Sequence, residues 1–101
     1  MHKVRLTARA KIQMDIALDY AFDYYSLHRA TKFEDELSAC FQQLEDGPYF
    51  YQQCLDEKLH TKGYRRAVIQ DFIVVYSVDD KVKHVHIVGI FHSKQNYTEY
   101  I

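Results

Sequence analysis

The 101 residues contain no tryptophan, a single proline (Pro48) and only three glycines (Gly47, Gly63 and Gly89). With so few chain breakers, most of the chain is expected to be regular structure. No stretch approaches the roughly 20 consecutive apolar residues of a membrane span. The opening Met1-His2-Lys3-Val4-Arg5-Leu6 also lacks the long apolar run of a secretory signal. No membrane association is expected, and the cytoplasm is the expected location. Cysteine is scarce as well. Cys40 falls in a helical pattern among core positions, so it and Cys54 are read as reduced thiols rather than a disulfide. An excess of either charge is missing too: 13 Lys and Arg face 14 Asp and Glu, for a net charge of −1 with histidines neutral, and the pI is near 6.6. A protein that grips nucleic acid by its phosphates usually carries a clear basic excess. Any basic surface here must therefore be local, and Lys58, Lys62, Arg65 and Arg66 are the one candidate.

What is present fits an ordinary globule. Apolar residues make up 48% and charged residues 27%, a mix that excludes a disordered tail. Nine Tyr and six Phe can fill a small core with few side chains. The length suits one domain spanning 1–101.

Residues 2–6 alternate as a short strand, with Val4 and Leu6 against Lys3 and Arg5. Thr7 offers a capping hydroxyl, and Ala10, Met14, Ala17, Ala21 and Tyr24 form one stripe of a helix from Ala8 to about Tyr25. Ser26 is a cap for a second helix, Leu27 to about Glu45, with the stripe Ala30, Phe33, Leu37, Cys40, Phe41 and Leu44. Gly47-Pro48 should end it, the glycine as a left-handed cap. The short joint favours an antiparallel helical hairpin. Residues 49–62 show no clean period and are read as a loop. Residues 64–69 read as a strand, and Phe72 to Val78 as a central strand covered on both faces. After a turn at Asp79-Asp80-Lys81, a further strand runs from Val82 to about Phe91 and completes an antiparallel hairpin. The polar-aromatic tail, 94–101, has room for one helical turn. The order β-α-α-β-β-β describes an α+β, two-layer domain: a helical hairpin packed on a small, mainly antiparallel sheet.

In order and spacing these segments resemble the RelE/ParE superfamily of toxins from type II toxin–antitoxin systems. The resemblance is carried by Val4-Arg5-Leu6-Thr7-Ala8-Arg9-Ala10, Ile16-Ala17-Leu18-Asp19-Tyr20-Ala21, Ala30 with Phe33 and Leu37, and Gly63-Tyr64-Arg65-Arg66. It continues through Phe72-Ile73-Val74-Val75-Tyr76-Ser77-Val78-Asp79-Asp80 and Val85-His86-Ile87-Val88-Gly89-Ile90 into His92-Ser93-Lys94-Gln95-Asn96-Tyr97. It implies a plasmid-stabilisation (addiction) toxin, held silent by a cognate antitoxin as a hetero-oligomer or with a homodimer, and it implies no cofactor or metal.

The superfamily has two mechanisms, poisoning of DNA gyrase (the ParE-like branch) and ribosome-dependent mRNA cleavage (the RelE-like branch). Metal-independent RNA cleavage needs cations and a titratable group that converge on the phosphate. In the nuclease branch two basic residues lie on the first strand of the late sheet, an arginine on the next, another on the last, and a tyrosine follows. Laid on this chain, Arg65 fills the first position, but Ala67, Ile73 and Phe91 stand at the next three, and Tyr97 matches again. Each missing charge-stabilising contact can cost roughly 3–4 kcal/mol of barrier. The ParE-like reading is therefore favoured, with no catalytic residue required. The alternatives are a nuclease using Arg65, His92 and Tyr97, with Arg66 and Lys94 converging nearby, and a non-toxic antitoxin-binding remnant. His92 is the one general base available, because imidazole titrates near neutrality; read plainly, it ends a strand and faces solvent.

Leu18, Phe22, Arg65, Arg66, Lys94 and Tyr97 are candidate contacts to target or antitoxin. Ile12, Leu18 and Phe22 lie off the main stripe of the first helix, either as a wide core face or as a partner-covered patch. His84 and His86 share one face of a strand. They lack the third and fourth ligands that zinc needs, Cys54 and His60 having no recognisable spacing, so a solvated sheet face is expected.

Overall fold

The computed structural model describes residues 1–101. The chain order is β1 (Lys3–Leu6), α1 (Ala8–Tyr24), α2 (Leu27–Asp46), α3 (Glu57–Thr61), β2 (Arg65–Ile69), β3 (Phe72–Asp79) and β4 (His84–His92), then a 3₁₀ turn at Tyr97–Glu99. The four strands form one sheet in the order β1-β4-β3-β2. β1 is parallel to β4, and the remaining pairs are antiparallel. The helical hairpin carries the chain away from β1, so that strand meets β4 only as a neighbour distant in sequence. This is the expected α+β, two-layer arrangement.

Helix starts follow the local chemistry. The Thr7 hydroxyl accepts from the Ala10 N–H at 3.1 Å, and the Ser26 hydroxyl from the Arg29 N–H at 3.2 Å, each satisfying an orphan donor of a first turn. At the other end of α2 the Gly47 N–H reaches the Gln43 carbonyl at 2.7 Å. Gly47 is not left-handed, however; its φ is −155°. The following Pro48 pushes the preceding residue into extended backbone, which corrects the cap expected from Gly-Pro.

Two further expectations change. The segment 49–62 is not all loop. Asp56 accepts from the Leu59 N–H at 3.1 Å and caps α3, and Leu59 is fully buried; five residues are too few to display a helical period. Tyr24 does not belong to the core stripe, since it is 75% exposed. The helix ends there, and Tyr25, in extended backbone, swings inward to pack against the core.

The sheet has two covered faces. On the first, Ala67, Ile69, Phe72, Val74, Tyr76, Val85, Ile87 and Ile90 meet Ala10, Ala17, Ala21, Ala30, Phe33, Leu37, Cys40 and Leu44 of the helical hairpin. The alanines of α1 let the helix lie close to the strands. On the second, Ile73, Val75 and Phe91 are covered by Cys54, Leu59, Tyr64, Tyr97 and Ile101. The inner part of β3 is thus buried on both sides, as its unbroken apolar run suggested. Both cysteines are free and buried, in separate clusters. No helix is long and apolar enough to cross a membrane.

Register decides which residues share a face. Val75 pairs with Gly89 but Tyr76 pairs with Ile87, so Val88 is an extra residue, a β-bulge. Before it, Val85 and Ile87 face the helices; beyond it, Ile90 does, and the parity of β4 is inverted.

Candidate functional site

Two surfaces carry chemistry. The second face of the sheet holds Arg66 and Val68 of β2, beside their cross-strand partners Val75 and Ile73, because paired residues project to the same side. Ile73 in turn pairs with Phe91. Tyr97 stacks on Phe91 at 5.9 Å between ring centroids, and Tyr100 does so at 6.1 Å. The Arg9 guanidinium lies 5.8 Å from the same ring and donates to the Tyr100 carbonyl at 2.6 Å, which fixes the tail over this face.

Arg66 is the cation at the centre of this face, and its Nε is buried without a hydrogen-bond partner. Burial pushes the Tyr97 hydroxyl and the Cys54 thiol up, and the nearby Arg66 charge only partly offsets this. Both groups are therefore held neutral near pH 7, the wrong direction for a base or a nucleophile. At the far end of the face, Lys3 and Arg5 stand opposite His84 and His86, whose rings lie 5.7 Å apart. No group of three or more His, Cys, Asp or Glu is placed to hold a metal.

The structure does not bring Arg65, His92 and Tyr97 together. Arg65 pairs with Tyr76 in the middle of β3, and His92 pairs with Phe72, four residues away at the start of that strand. Arg65 belongs to the helix-facing side, since Ala67 and Ile69 of the same parity lie in that core. It donates to the Tyr51 carbonyl at 2.7 Å and sits 4.9 Å from the Tyr49 ring. The arginine that shares a face with Ile73, Phe91 and Tyr97 is Arg66. A motif laid along a sequence cannot reveal this, because one residue of register exchanges the two faces.

His92 lies on the helix side, its ring 5.8 Å from Tyr20 and 5.2 Å from Phe72. There it helps to line the second surface, an open groove of about 510 Å³ bounded by Gln13, Ile16, Tyr20, Phe72, Ile90, His92, Lys94 and Gln95. Lys94 is thus far from Arg66 and close to α1. At the mouth of the groove, Ile12, Ile16 and Tyr20 follow one another at four-residue steps and are 61%, 60% and 39% exposed. The sequence pointed to the opposite flank. Leu18 is half-buried against the core in the seam with α2, while Phe22 is exposed. Ile16 and Tyr20 were missed, although their spacing from Ile12 was a readable signal.

A pinned contact joins the start of α2 to the β2–β3 turn. The Tyr25 hydroxyl donates to Asp71 at 2.7 Å and Arg29 donates to the same oxygen at 2.8 Å. The hydrogen bonds from Tyr25 and then Arg29 hold the Asp71 carboxyl below its usual range. Burial first, then the bond to Asp71, pushes Tyr25 up to about 12.

Comparison with known proteins adds a second line. A family model described as ParE toxin of type II toxin–antitoxin system, parDE, matches residues 4–97. The chain is 29% identical over 96 residues to Toxin ParE1 of Caulobacter vibrioides, covering 95% of this chain and 94% of that protein. Among solved structures, a chain of the chromosomal ParDE system from P. aeruginosa is similar with a TM-score of 0.67 at 17% identity, covering 91% of this chain and 96% of that one. A chain of the toxin–antitoxin complex RelBE2 from Mycobacterium tuberculosis gives 0.62 at 17%, covering 90% and 96%. At such identities the two structures bear on the fold.

Proposed function

This chain belongs to the ParE toxin family of type II toxin–antitoxin systems, and from that premise we propose that it arrests growth by binding and poisoning DNA gyrase until a cognate antitoxin neutralises it. The observation that carries the choice of target is the apolar second face. Ile73 and Phe91 are cross-strand partners there, at the two positions where the nuclease branch of the superfamily places arginines. Stabilising a phosphorane-like transition state needs several preorganised donors, and Arg66 stands alone at the centre of the face. Trapping another enzyme's covalent intermediate is a binding act and needs no catalytic group here. Phe22, Arg66 and Tyr97 are left as candidate target contacts, with Arg65 committed to the Tyr51 carbonyl and Leu18 to the helix seam.

The test is a supercoiling assay with purified gyrase and relaxed plasmid. Added toxin should block supercoiling and accumulate cleaved DNA, and prior mixing with the antitoxin should restore activity. Induction in cells should depress DNA synthesis before protein synthesis. If translation stops first and ribosome-associated transcripts are cut, the target is mRNA. If induction does not slow growth, the toxin reading of this chain is lost.

A further inference from the structure

The net charge of −1 conceals a separation between the two layers. α1 and α2 carry eight acidic residues against four basic ones, a net −4, and the rest of the chain carries six against nine, a net +3. Part of that excess gathers where the second face of the sheet is left open. Register sets Lys3 of β1 beside His84 of β4, and Arg5 beside His86. Side chains on one face of a strand recur about every 6.6 Å, and neighbouring strands lie about 4.8 Å apart. The four groups therefore form a compact two-by-two array. Leu59 of α3 and Tyr97 cover Ile73, Val75 and Phe91 on this face, but at the array Lys3 and Arg5 are exposed and His84 and His86 half-buried.

Neither ion pair of the chain engages Lys3 or Arg5. Asp79 is the cross-strand partner of His84 on β3, and its carboxylate accepts the Lys81 N–H at 3.0 Å. Further along the same face, Arg66 keeps a buried Nε without a partner. Cations on an edge strand such as β1 can serve simply to prevent pairing with another sheet. That reason does not extend to β4, an interior strand between β1 and β3, whose imidazoles carry the array inward.

Such an array is complementary to the repeating anionic oxygens of a nucleic-acid backbone, which cationic and N–H groups contact without reading bases. Single strands are held in large part by stacking on open aromatic rings. Here the rings turn to each other instead: Tyr97 stacks on Phe91, and His84 meets His86 edge to face at an interplanar angle of 77°. The array therefore suits the backbone of a duplex. The same polyanion repels the acidic helical layer, which orients the molecule sheet-first.

We propose that Lys3, Arg5, His84 and His86 contact the phosphate backbone of duplex DNA, and that the chain lies against the DNA held by its target while it binds that enzyme. The second part rests on the gyrase reading above, and the first stands without it. The array joins opposite ends of the chain, so the sequence pointed instead to the neighbouring Lys58, Lys62, Arg65 and Arg66.

The experiment is fluorescence anisotropy of a labelled DNA duplex of arbitrary sequence, titrated with the purified chain at salt concentrations from about 50 to 200 mM. The wild type should bind, and its affinity should fall as salt rises. Lys3→Gln and Arg5→Gln should each reduce the slope of log K against log salt by about 0.9, and at the lowest salt the double variant should bind at least about tenfold more weakly. Lys32→Gln, on the exposed surface of α2, should bind as the wild type does. Because Lys3 and Arg5 are exposed, all variants should melt with the wild type. If the wild type does not bind, or the variants keep its affinity and slope, the array is no DNA contact. Tighter binding to the corresponding single strand, or to vesicles of an anionic lipid, would overturn the choice of a duplex.

A second measurement joins the array to the target. Poisoning of gyrase by the double variant should need at least about tenfold more toxin, while its binding to gyrase without DNA is unchanged. Equal potency of the two proteins would remove the array from the poisoned complex. If the wild type binds duplex but leaves gyrase untouched, the gyrase reading fails and the DNA contact stands.

Discussion

Ile73 of β3 and Phe91 of β4 sit directly across from each other, and on Phe91 the rings of Tyr97 and Tyr100 are stacked. The pair forms the base of a small aromatic cluster on the second face of the sheet. A Cβ added at Gly89 would press into the Phe91 ring, so the glycine is there to admit it.

That relationship can be tested by a double-mutant cycle. Phe91→Ala should cost about 3–5 kcal/mol, and Gly89→Ala should also destabilise, because the ring is held by its stacked neighbours. In the Phe91→Ala background the glycine substitution should cost little, since the ring it strikes is gone. Urea denaturation of the four proteins measures the coupling. Additive costs would show that Gly89 is required for another reason.

Acid sensitivity should trace partly to Asp71. Its pKa is lowered in the folded state, by Tyr25 first and Arg29 second. The stability it contributes is therefore complete above its unfolded value of about 4, and is lost as pH falls through the lower folded value. Asp71→Asn should melt below wild type at pH 7, and the gap should close below about pH 4. A gap that stays constant down to pH 3 would exclude the carboxylate as its cause.

Tyr76 is fully buried, and its hydroxyl donates to the Pro48 carbonyl at 2.8 Å, holding the end of α2 to the sheet. Tyr76→Phe keeps the ring but leaves that carbonyl without its donor. We expect a loss of about 1–2 kcal/mol, seen as a fall in Tm of roughly 5–10 °C. An unchanged Tm would mean that water replaces the bond.

Tyr97→Phe preserves the stack on Phe91 and removes only the hydroxyl. Growth arrest on induction should persist at wild-type strength, because no proton transfer by this group is required for gyrase trapping. Abolished toxicity with an unchanged melting curve, together with cut ribosome-associated transcripts on induction of the wild type, would instead favour mRNA cleavage, in which a tyrosine hydroxyl does chemistry.

Much of the fold was legible from local signals. Thr7 and Ser26 before Gly-free helical stripes, and the β-branched run of β3, set the order of elements almost to the residue. The surfaces were legible only in part. Leu18 and Phe22 drew attention as an off-stripe pair, yet the flank left open is that of Ile16 and Tyr20, because α2 packs on one side of α1 and nothing covers the other. α3 escaped notice because a five-residue helix carries no period and is recognisable mainly by its Asp56 cap.

By itself the sequence determined what short-range chemistry governs: which segments are helix or strand, where they start, and that the chain carries the ParE toxin pattern. Tertiary structure alone decided which way the strands' side chains point. His84, His86 and His92 have the same parity and would share a face of a regular strand. The bulge at Val88 turns His92 to the helices and leaves the other two on the far side. Strand alternation has a period of two, so a single inserted residue reverses every later side chain, and the pairing that places the bulge arises only when β3 and β4 meet.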